Sequence, residues 1–301
     1  MQNNNCNKQQ KNKACSLLWE QALCYNNTVH NHLCSGAVIF MFTKEELKAH
    51  IKTLGIKPTD TVLIHTSLRA VGEIENGADG LIDAFCEYLS DGLFIVPTHT
   101  WANVNKDQPV FDVNKTLPCI GTLPTVAAFR KDGIRSLHPT HSVWAHGKAA
   151  AEFVKGEETR LTPAAPDSCW GKLAELNAKI LLIGVGNNRN TFIHSVDEML
   201  DIPDRLADEP FDSTIIDHDG NVIHGKMFKH NCSKCRSVAE YYPNFDRAFT
   251  ELGVQHFGRI GNAEVRVVDA ALCKEAVIKI YSRMGTDITT QITDIPKEAY
   301  I

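Results

Sequence analysis

The 301-residue chain lacks most of the signatures by which a sequence declares its chemistry. It has no Walker loop, and no G-x-G-x-x-G opens a helix after a strand, so nucleotide hydrolysis and Rossmann dinucleotide binding lose their usual support. Nor is there a G-x-S-x-G elbow, which counts against a serine hydrolase of that type. No apolar run approaches the roughly 18–20 residues of a membrane-spanning helix. The longest, Leu33–Phe42, is short and follows an asparagine-rich leader rather than a basic one. Positive charge is not in excess either: 31 Lys and Arg face 36 Asp and Glu, a formal charge of −5. That balance gives no electrostatic footprint for nucleic acid. Neither nucleic acid nor membrane is expected as a partner. The ten cysteines are irregularly scattered, and a chain this long needs no disulfide framework. A reduced, cytoplasmic setting is the simpler expectation.

What is present is a core and an alternation. The apolar fraction of 43% is ample for a buried interior. Residues 1–40, rich in Asn, Gln, Lys and Cys, sustain no period and read as a leader, disordered or not native to the domain. Residues 41–301 read as a single domain. Its start is marked by Thr43 as N-cap with Glu46 as capping-box partner. Strand Thr61–His65, helix Gly77–Leu89 and strand Leu93–Pro97 follow. Next come an irregular polar stretch Trp101–Leu117, a helix over Gly121–Arg130 and a histidine-dense segment. Strand Ile180–Gly186 leads into a helix carrying His194. A hairpin turns at Asp217–Asn221, the turn Arg259–Asn262 precedes a strand Val265–Val268, and a helix Ala270–Met284 closes the chain. Strands separated by helices predict an α/β layered fold with a mostly parallel sheet, whose ligands gather at the strands' carboxyl ends.

The stretch Asn190–Asp204 organises the chemistry. Asn190 or Thr191 is placed to cap the helix, and His194, Asp197 and Glu198 recur at spacings of three and four, which puts both carboxylates on the histidine's face. A carboxylate beside an imidazole fixes its tautomer and raises its basicity, making a general base. The alternative is a capped helix with a solvated acidic edge. Two further loops, Thr66–Gly72 and His138–Gly147, converge with Thr191–Glu198 in a single-sheet arrangement. Small residues in them let an anion approach the backbone. Between Asp197 and Asp219, nine acidic side chains face Arg205 alone. That run would attract a polycation, unless it is simply a solvated loop.

No metal is expected. His138, His141 and His146 are close in sequence, and His230, Cys232 and Cys235 include a C-x-x-C, but no second ligand pair stands at matching spacing. His138 reads as a turn histidine and His141 as facing a ligand. Cys169 is a weak candidate nucleophile.

Five segments in order, H-T-S-L-R-A-V-G (65–72), I-V-P-T-H-T (95–100), R-S-L-H-P-T-H-S-V-W-A-H-G (135–147), I-L-L-I-G-V-G (180–186) and N-T-F-I-H-S-V-D-E (190–198), resemble the aminoglycoside 3-N-acetyltransferase (antibiotic N-acetyltransferase) family from about Phe42 onward. The resemblance implies a three-layer α/β/α sandwich distinct from the GNAT fold. It also implies transfer of acetyl from acetyl-CoA to the 3-amino group of a 2-deoxystreptamine ring, hence antibiotic resistance, without an acyl-enzyme. Its partners would be coenzyme A and a cationic amine, an aminoglycoside; pairing as a homodimer is left open. By the same resemblance His194 is the catalytic base and Thr191 the motif threonine. Asp197 stands where the family usually has glutamate, with Glu198 beside it. Ser67, Leu68, Arg69, Val71, Gly72, His141, Ser142 and Val143 would line the coenzyme A site. Backbone amides near Ser67 and Leu68, or the Thr191 hydroxyl, are candidates for binding the oxyanion. The alternatives are an acyl-CoA-dependent N-acetyltransferase of another amine, or a non-catalytic binder of coenzyme A or a polyamine.

Overall fold

The computed structural model describes residues 40–301, so the expected leader lies outside the described residues apart from Phe40. The chain enters through α1 (Lys44–Thr53), whose N-cap Thr43 accepts from the Glu46 amide while Glu46 reaches back to the Thr43 amide. Then follow β1 (Thr61–Thr66), a single turn α2 (Leu68–Val71), α3 (Gly77–Tyr88), β2 (Leu93–Pro97), β3 (Val110–Asp112) and α4 (Thr122–Phe129). Next come β4 (Ile134–Arg135), β5 (Val143–His146), α5 (Ala150–Phe153), α6 (Lys172–Glu175), β6 (Lys179–Ile183) and α7 (Phe192–Met199). The chain finishes with β7 (Phe211–Ile216), β8 (Val222–Met227), a 3-10 segment Val238–Phe245, α8 (Asp246–Glu251), β9 (Gln255–Ile260), β10 (Ala263–Asp269) and α9 (Ala270–Met284).

Seven strands form the main sheet in the order β4-β5-β2-β1-β6-β10-β9. β1 pairs in parallel with both β2 and β6, whereas β5 and β10 run antiparallel to their neighbours. Five strands, β4, β2, β1, β6 and β9, therefore point one way and two the other. Strand alternation builds the layers. Val62 and Ile64 of β1 face one side with Leu47, Ile51, Leu81, Phe85 and Leu123 of α1, α3 and α4. Leu63, Leu182 and Ile180 face the other, against Phe192, Val196, Phe249, Val277 and Ile280 of α7, α8 and α9. The result is helix, sheet, helix.

Two expectations are corrected. The polar stretch 101–117 is not wholly irregular, since Val110–Asp112 pairs in parallel with β7 to complete a three-stranded sheet β3-β7-β8 around Phe111, Val113 and Ile215. Only three residues pair, and their partner lies about a hundred positions on, so no local period reveals them. The turn expected at Arg259–Asn262 is the end of a strand: Arg259 and Ile260 belong to β9, and Gly261 with Asn262 makes the tight hairpin to β10.

Gly80 inside α3 sets local propensity against sterics. A Cβ there would lie 1.9 Å from the Glu75 carbonyl oxygen, a backbone atom that cannot swing away. Alanine is intrinsically better in a helix by about 0.5–1 kcal/mol. Overpacking of about 1–3 kcal/mol outweighs that gain. Gly80→Ala is thus expected to lower the midpoint of urea unfolding; an unchanged or raised midpoint would show that the α3 N-terminus yields freely.

Candidate active site

The parallel strands β1, β2 and β6 end together, and the loops after them enclose a cavity of about 1060 Å³. His65 and Thr66 end β1, His99 follows β2, and Asn190, Thr191 and His194 follow β6. Close packing of two of these loops needs Gly184. Its φ is +65°, and an added Cβ would meet the Ala70 side chain at 2.3 Å. His141 approaches from the turn before β5, and the segment after β8, including His230, closes the remaining side.

His194 sits in the second half of the first turn of α7, half-buried on the cavity wall. Its Nδ1 lies 2.8 Å from the Tyr242 hydroxyl, which donates to Asp197 Oδ2 at 2.8 Å. The Tyr281 hydroxyl donates to Asp197 Oδ1, also at 2.8 Å. Both oxygens of Asp197 accept, which is the bonding of a carboxylate. Tyr242 has one proton and spends it on Asp197, so His194 Nδ1 must be the donor to Tyr242. Nε2 then carries the lone pair and has no hydrogen-bond partner among the described residues. Arg205 Nε, 3.4 Å from Asp197 Oδ2, adds an ion pair to this buried carboxylate. Burial drives the Asp197 pKa upward, opposed by Arg205 and the two tyrosines.

This arrangement corrects the expectation that a carboxylate touches His194 directly. Asp197 acts across the Tyr242 hydroxyl. Glu198 contacts a different ring: its Oε1 lies 3.1 Å from His230 Nε2 and accepts the Ala164 amide at 2.9 Å. His230 stacks on His194 with centroids 4.1 Å apart. Neither Asn190 nor Thr191 caps α7 through its side chain. Thr191 is helical in backbone and makes no capping bond, while Asn190 Nδ2 donates to Asn187 Oδ1 at 3.1 Å. Thr191 instead faces the cavity.

The imidazoles form a continuous group. His99 and His141 have centroids 4.6 Å apart, His141 and His230 5.1 Å. Trp170 packs between His65 and His99 and donates its indole N–H to the His141 carbonyl at 3.1 Å. Burial lowers every ring whose shift is resolved: His65 to about 3, His138 to about 4, and His99, His141 and His194 well below the ordinary value. His138 is the expected turn histidine, its Nδ1 accepting from the amides of Thr140 at 3.2 Å and His141 at 2.9 Å.

The remaining candidates are distributed less uniformly. Of the eight expected to line a coenzyme site, only His141 has a place on the cavity wall. Ser67 and Leu68 open α2, next to Thr66 on that wall, and Arg69 is exposed. Gly72 has φ +96° and packs against Asn262. Val71 and Val143 are core residues on opposite faces of the sheet. The Ser142 hydroxyl is taken by Thr98, with bonds of 2.8 and 2.9 Å. The acidic run fails as a substrate magnet, because none of its nine carboxylates is among the cavity-lining residues. Asp197 turns into the core, Asp204 binds Ser233 and Asn231, and Asp217 ties the β7–β8 turn.

Cys232 and Cys235 are joined in a disulfide, leaving no free thiolates there for a metal. Ligand atoms of Cys86, Asp132 and His146 lie within 4.8 Å of one another. Arg130 claims both Asp132 oxygens, at 3.0 and 2.5 Å, so that group is already satisfied by a cation. Cys169 is buried, donates its thiol to the Phe153 carbonyl, and has its pKa pushed well up by burial, so it is no nucleophile.

Sequence reasoning missed Tyr242, Tyr281 and Arg205. The tyrosines sit 45 and 84 residues from Asp197, with nothing in their surroundings to mark them. His65 and His99 were findable, since each lies at the carboxyl end of a readable strand.

These features define an α/β/α protein with a histidine-lined cavity at the carboxyl ends of its parallel strands. Residues 63–282 match the family model described as aminoglycoside 3-N-acetyltransferase, and the chain belongs to that family. Aminoglycoside N(3)-acetyltransferase IV of Salmonella sp is 27% identical over 251 residues, covering 82% of this chain and 89% of that protein. The crystal structure of a histidine-to-alanine mutant of aminoglycoside acetyltransferase AAC(3)-IVa in complex with a gentamicin superposes with a TM-score of 0.69. It is 26% identical and covers 83% of this chain and 92% of its own. The binary complex of AAC-IIIb with CoASH, 22% identical, has a TM-score of 0.70 and covers 82% and 99%, and shares the fold.

Neutral buried histidines make stability depend on pH. Folded pKa values of about 3 and 4 for His65 and His138 lie below the unfolded value near 6.5, so the unfolded chain binds more protons between them. Stability is full above about pH 6.5 and is lost as pH falls toward 4, at up to about 1.4 kcal/mol per pH unit for each ring. Thermal melting between pH 7 and 4.5 should show a steep decline, shallower in His65→Phe; parallel slopes would rule out His65 as a contributor.

Proposed function

We propose that this chain is an acetyl-CoA-dependent N-acetyltransferase that acetylates an amine, with His194 Nε2 as general base. The observation that supports it best is the bonding of His194: Nδ1 is committed to Tyr242, and Nε2 is left without a protein partner on the wall of a cavity large enough for two substrates. A lowered pKa keeps the ring neutral at physiological pH, so it can accept a proton at once. The amine nitrogen attacks the thioester carbonyl, the N–C bond forms, and Nε2 takes the proton from nitrogen. The tetrahedral oxyanion then collapses, the C–S bond breaks, and the thiolate leaves to be protonated. Positive charge that develops on His194 is balanced through Tyr242 by Asp197, whose own position is set by Tyr281 and Arg205. Thr191, on the same wall, supplies a hydroxyl for the oxyanion. Ser67, Leu68, Arg69 and Gly72, in the loop beside Thr66, are proposed to meet the coenzyme. No acyl-enzyme is needed, and the inert Cys169 agrees with direct transfer.

Relatives bearing the aminoglycoside N(3)-acetyltransferase name, and a structural neighbour holding a gentamicin, make the 3-amino group of a 2-deoxystreptamine aminoglycoside the first acceptor to test. Release of coenzyme A thiol from acetyl-CoA should be followed with gentamicin, tobramycin, neomycin and a simple polyamine. His194→Ala is expected to lose roughly 10²–10⁴-fold in turnover. Undiminished turnover in that variant would exclude His194 as base, and no release with any amine would sink the transferase reading.

Tyr242→Phe removes the oxygen that His194 Nδ1 donates to while keeping the ring's packing. A fall in kcat of about 10–100-fold, or about 1.4–2.7 kcal/mol, with little change in KM for acetyl-CoA, is the expected result. An equal loss in KM and none in kcat would assign Tyr242 to binding instead.

A further inference from the structure

A second histidine–carboxylate pair lies against His194 on the cavity wall. His230 stacks on His194 with centroids 4.1 Å apart and planes 21° from parallel. Its Nε2 lies 3.1 Å from Glu198 Oε1, an oxygen that also accepts the Ala164 amide at 2.9 Å. Glu198 is almost enclosed, its side chain 4% exposed, and its Oε2 is buried without a hydrogen-bond partner. Among the described residues, His230 is the one basic side chain within ion-pairing distance of it. A buried carboxylate so poorly supplied with donors is stabilised by a cation at its side, and the imidazolium form of His230 is that cation.

The two rings are anchored through opposite nitrogens. Nε2 of His230 donates to Glu198, so Nδ1 is its open nitrogen; that atom has no hydrogen-bond partner among the described residues, is not enclosed, and belongs to a ring that lines the cavity. His194 is the reverse, with Nδ1 donating to Tyr242 and Nε2 open. Stacking confines both open nitrogens to one patch of the wall. Two imidazolium rings this close repel strongly where water is scarce, so the pair holds one surplus proton readily and a second only at a cost. A carboxylate touches His230 directly, whereas a neutral hydroxyl stands between His194 and Asp197, which places the surplus proton on His230. Burial first, and the facing His230 next, hold His194 neutral.

We propose that His230 is the general acid of the transfer, delivering the proton on its Nδ1 to the departing coenzyme A sulfur. This role rests on the transferase reading, with His194 as base. As the amine nitrogen bonds to the acetyl carbon, its proton passes to His194 Nε2. As the C–S bond breaks and its electron pair goes to sulfur, the Nδ1 proton of His230 completes the thiol. The pair holds one surplus proton before and after, moved from one ring to the other. Neither ring turns or changes tautomer, since the Nε2 proton of His230 stays with Glu198 and the Nδ1 proton of His194 with Tyr242. Proton exchange with solvent resets the pair once the products leave.

The order in which the rings take up protons can be read without turnover. Imidazole nitrogen NMR, assigned with His194→Ala and His230→Gln, should show His230 Nδ1 protonating first as the pH is lowered and His194 Nε2 second. The titratable groups facing His230 are Glu198 and His194 of α7 and His141 of the turn before β5, with His99 and His138 packed on His141 and Lys229 beside it in the chain. Glu198→Gln should abolish the preference for His230, and protonation of His194 first in wild type overturns the proposal. Kinetics then compare two acetyl donors with gentamicin as acceptor: acetyl-CoA, and S-acetyl para-nitrothiophenol, whose stabilised thiolate leaves without a proton. His230→Gln should lose roughly 10²-fold in kcat/KM with acetyl-CoA, and most of that loss should disappear with the aryl thioester. His194→Ala should be impaired with both donors, because the amine must still be deprotonated. Glu198→Gln should reproduce the donor-dependent loss if His230→Gln does not fold. An equal loss with both donors, in a variant that melts like wild type, makes His230 structural and overturns its role as acid while leaving the transferase reading intact. Wild type that transfers acetyl from neither donor fails the transferase reading and the acid role with it, and the NMR order would still locate the surplus proton.

Discussion

A buried carboxylate that must find donors is the constraint on which the site depends. Asp197 is fully enclosed, and an ionised side chain there is tolerable only because Tyr242, Tyr281 and Arg205 all reach it. Those partners come from the 3-10 segment, from α9 and from the loop after α7. The one carboxylate therefore ties three separate pieces of chain to the helix carrying His194. Removing any donor leaves a desolvated charge undercompensated, which costs more than the bond itself gains. The same geometry assigns the proton on His194 and so points its lone pair outward. Stability and chemistry share one network here.

Around that network the protein has used burial rather than charge to set the state of its histidines. Rings stacked at 4–6 Å cannot all be protonated in a poorly solvated wall, and a neutral ring can serve as an acceptor. Trp170 fixes part of the group by bonding the His141 backbone and packing against two rings. The orphaned Nε2 atoms of His65 and His99 are the unsatisfied remainder of this arrangement, and they lie on the side chains nearest the ends of β1 and β2. Buried polar atoms left open at a strand terminus are where a fold can spend stability on function.

Family membership does not by itself fix the acceptor. Membership in the aminoglycoside 3-N-acetyltransferase family speaks to the sheet and the reaction class. The cavity lining holds a single carboxylate, Glu240, and the acidic run is spent on turns and on the core. A shared fold can keep its chemistry and change what it is offered.

The sequence by itself determined the layers and the place of His194 in the helix after a parallel strand. Strand periods at Thr61–His65 and Ile180–Ile183, the capping box at Thr43 and the spacing around His194 are local patterns, set by residues within a few positions of one another. Tertiary structure alone decided what His194 touches. Helical spacing places Asp197 and Glu198 near it in projection, yet side-chain direction sends Asp197 into the core and Glu198 to His230. Tyr242, Tyr281 and the pairing of Val110–Asp112 with β7 are contacts between residues tens to a hundred positions apart, which no local period encodes. The destination of the acidic run was undecidable for the same reason: composition counts charges, and only the fold says which cavity they face.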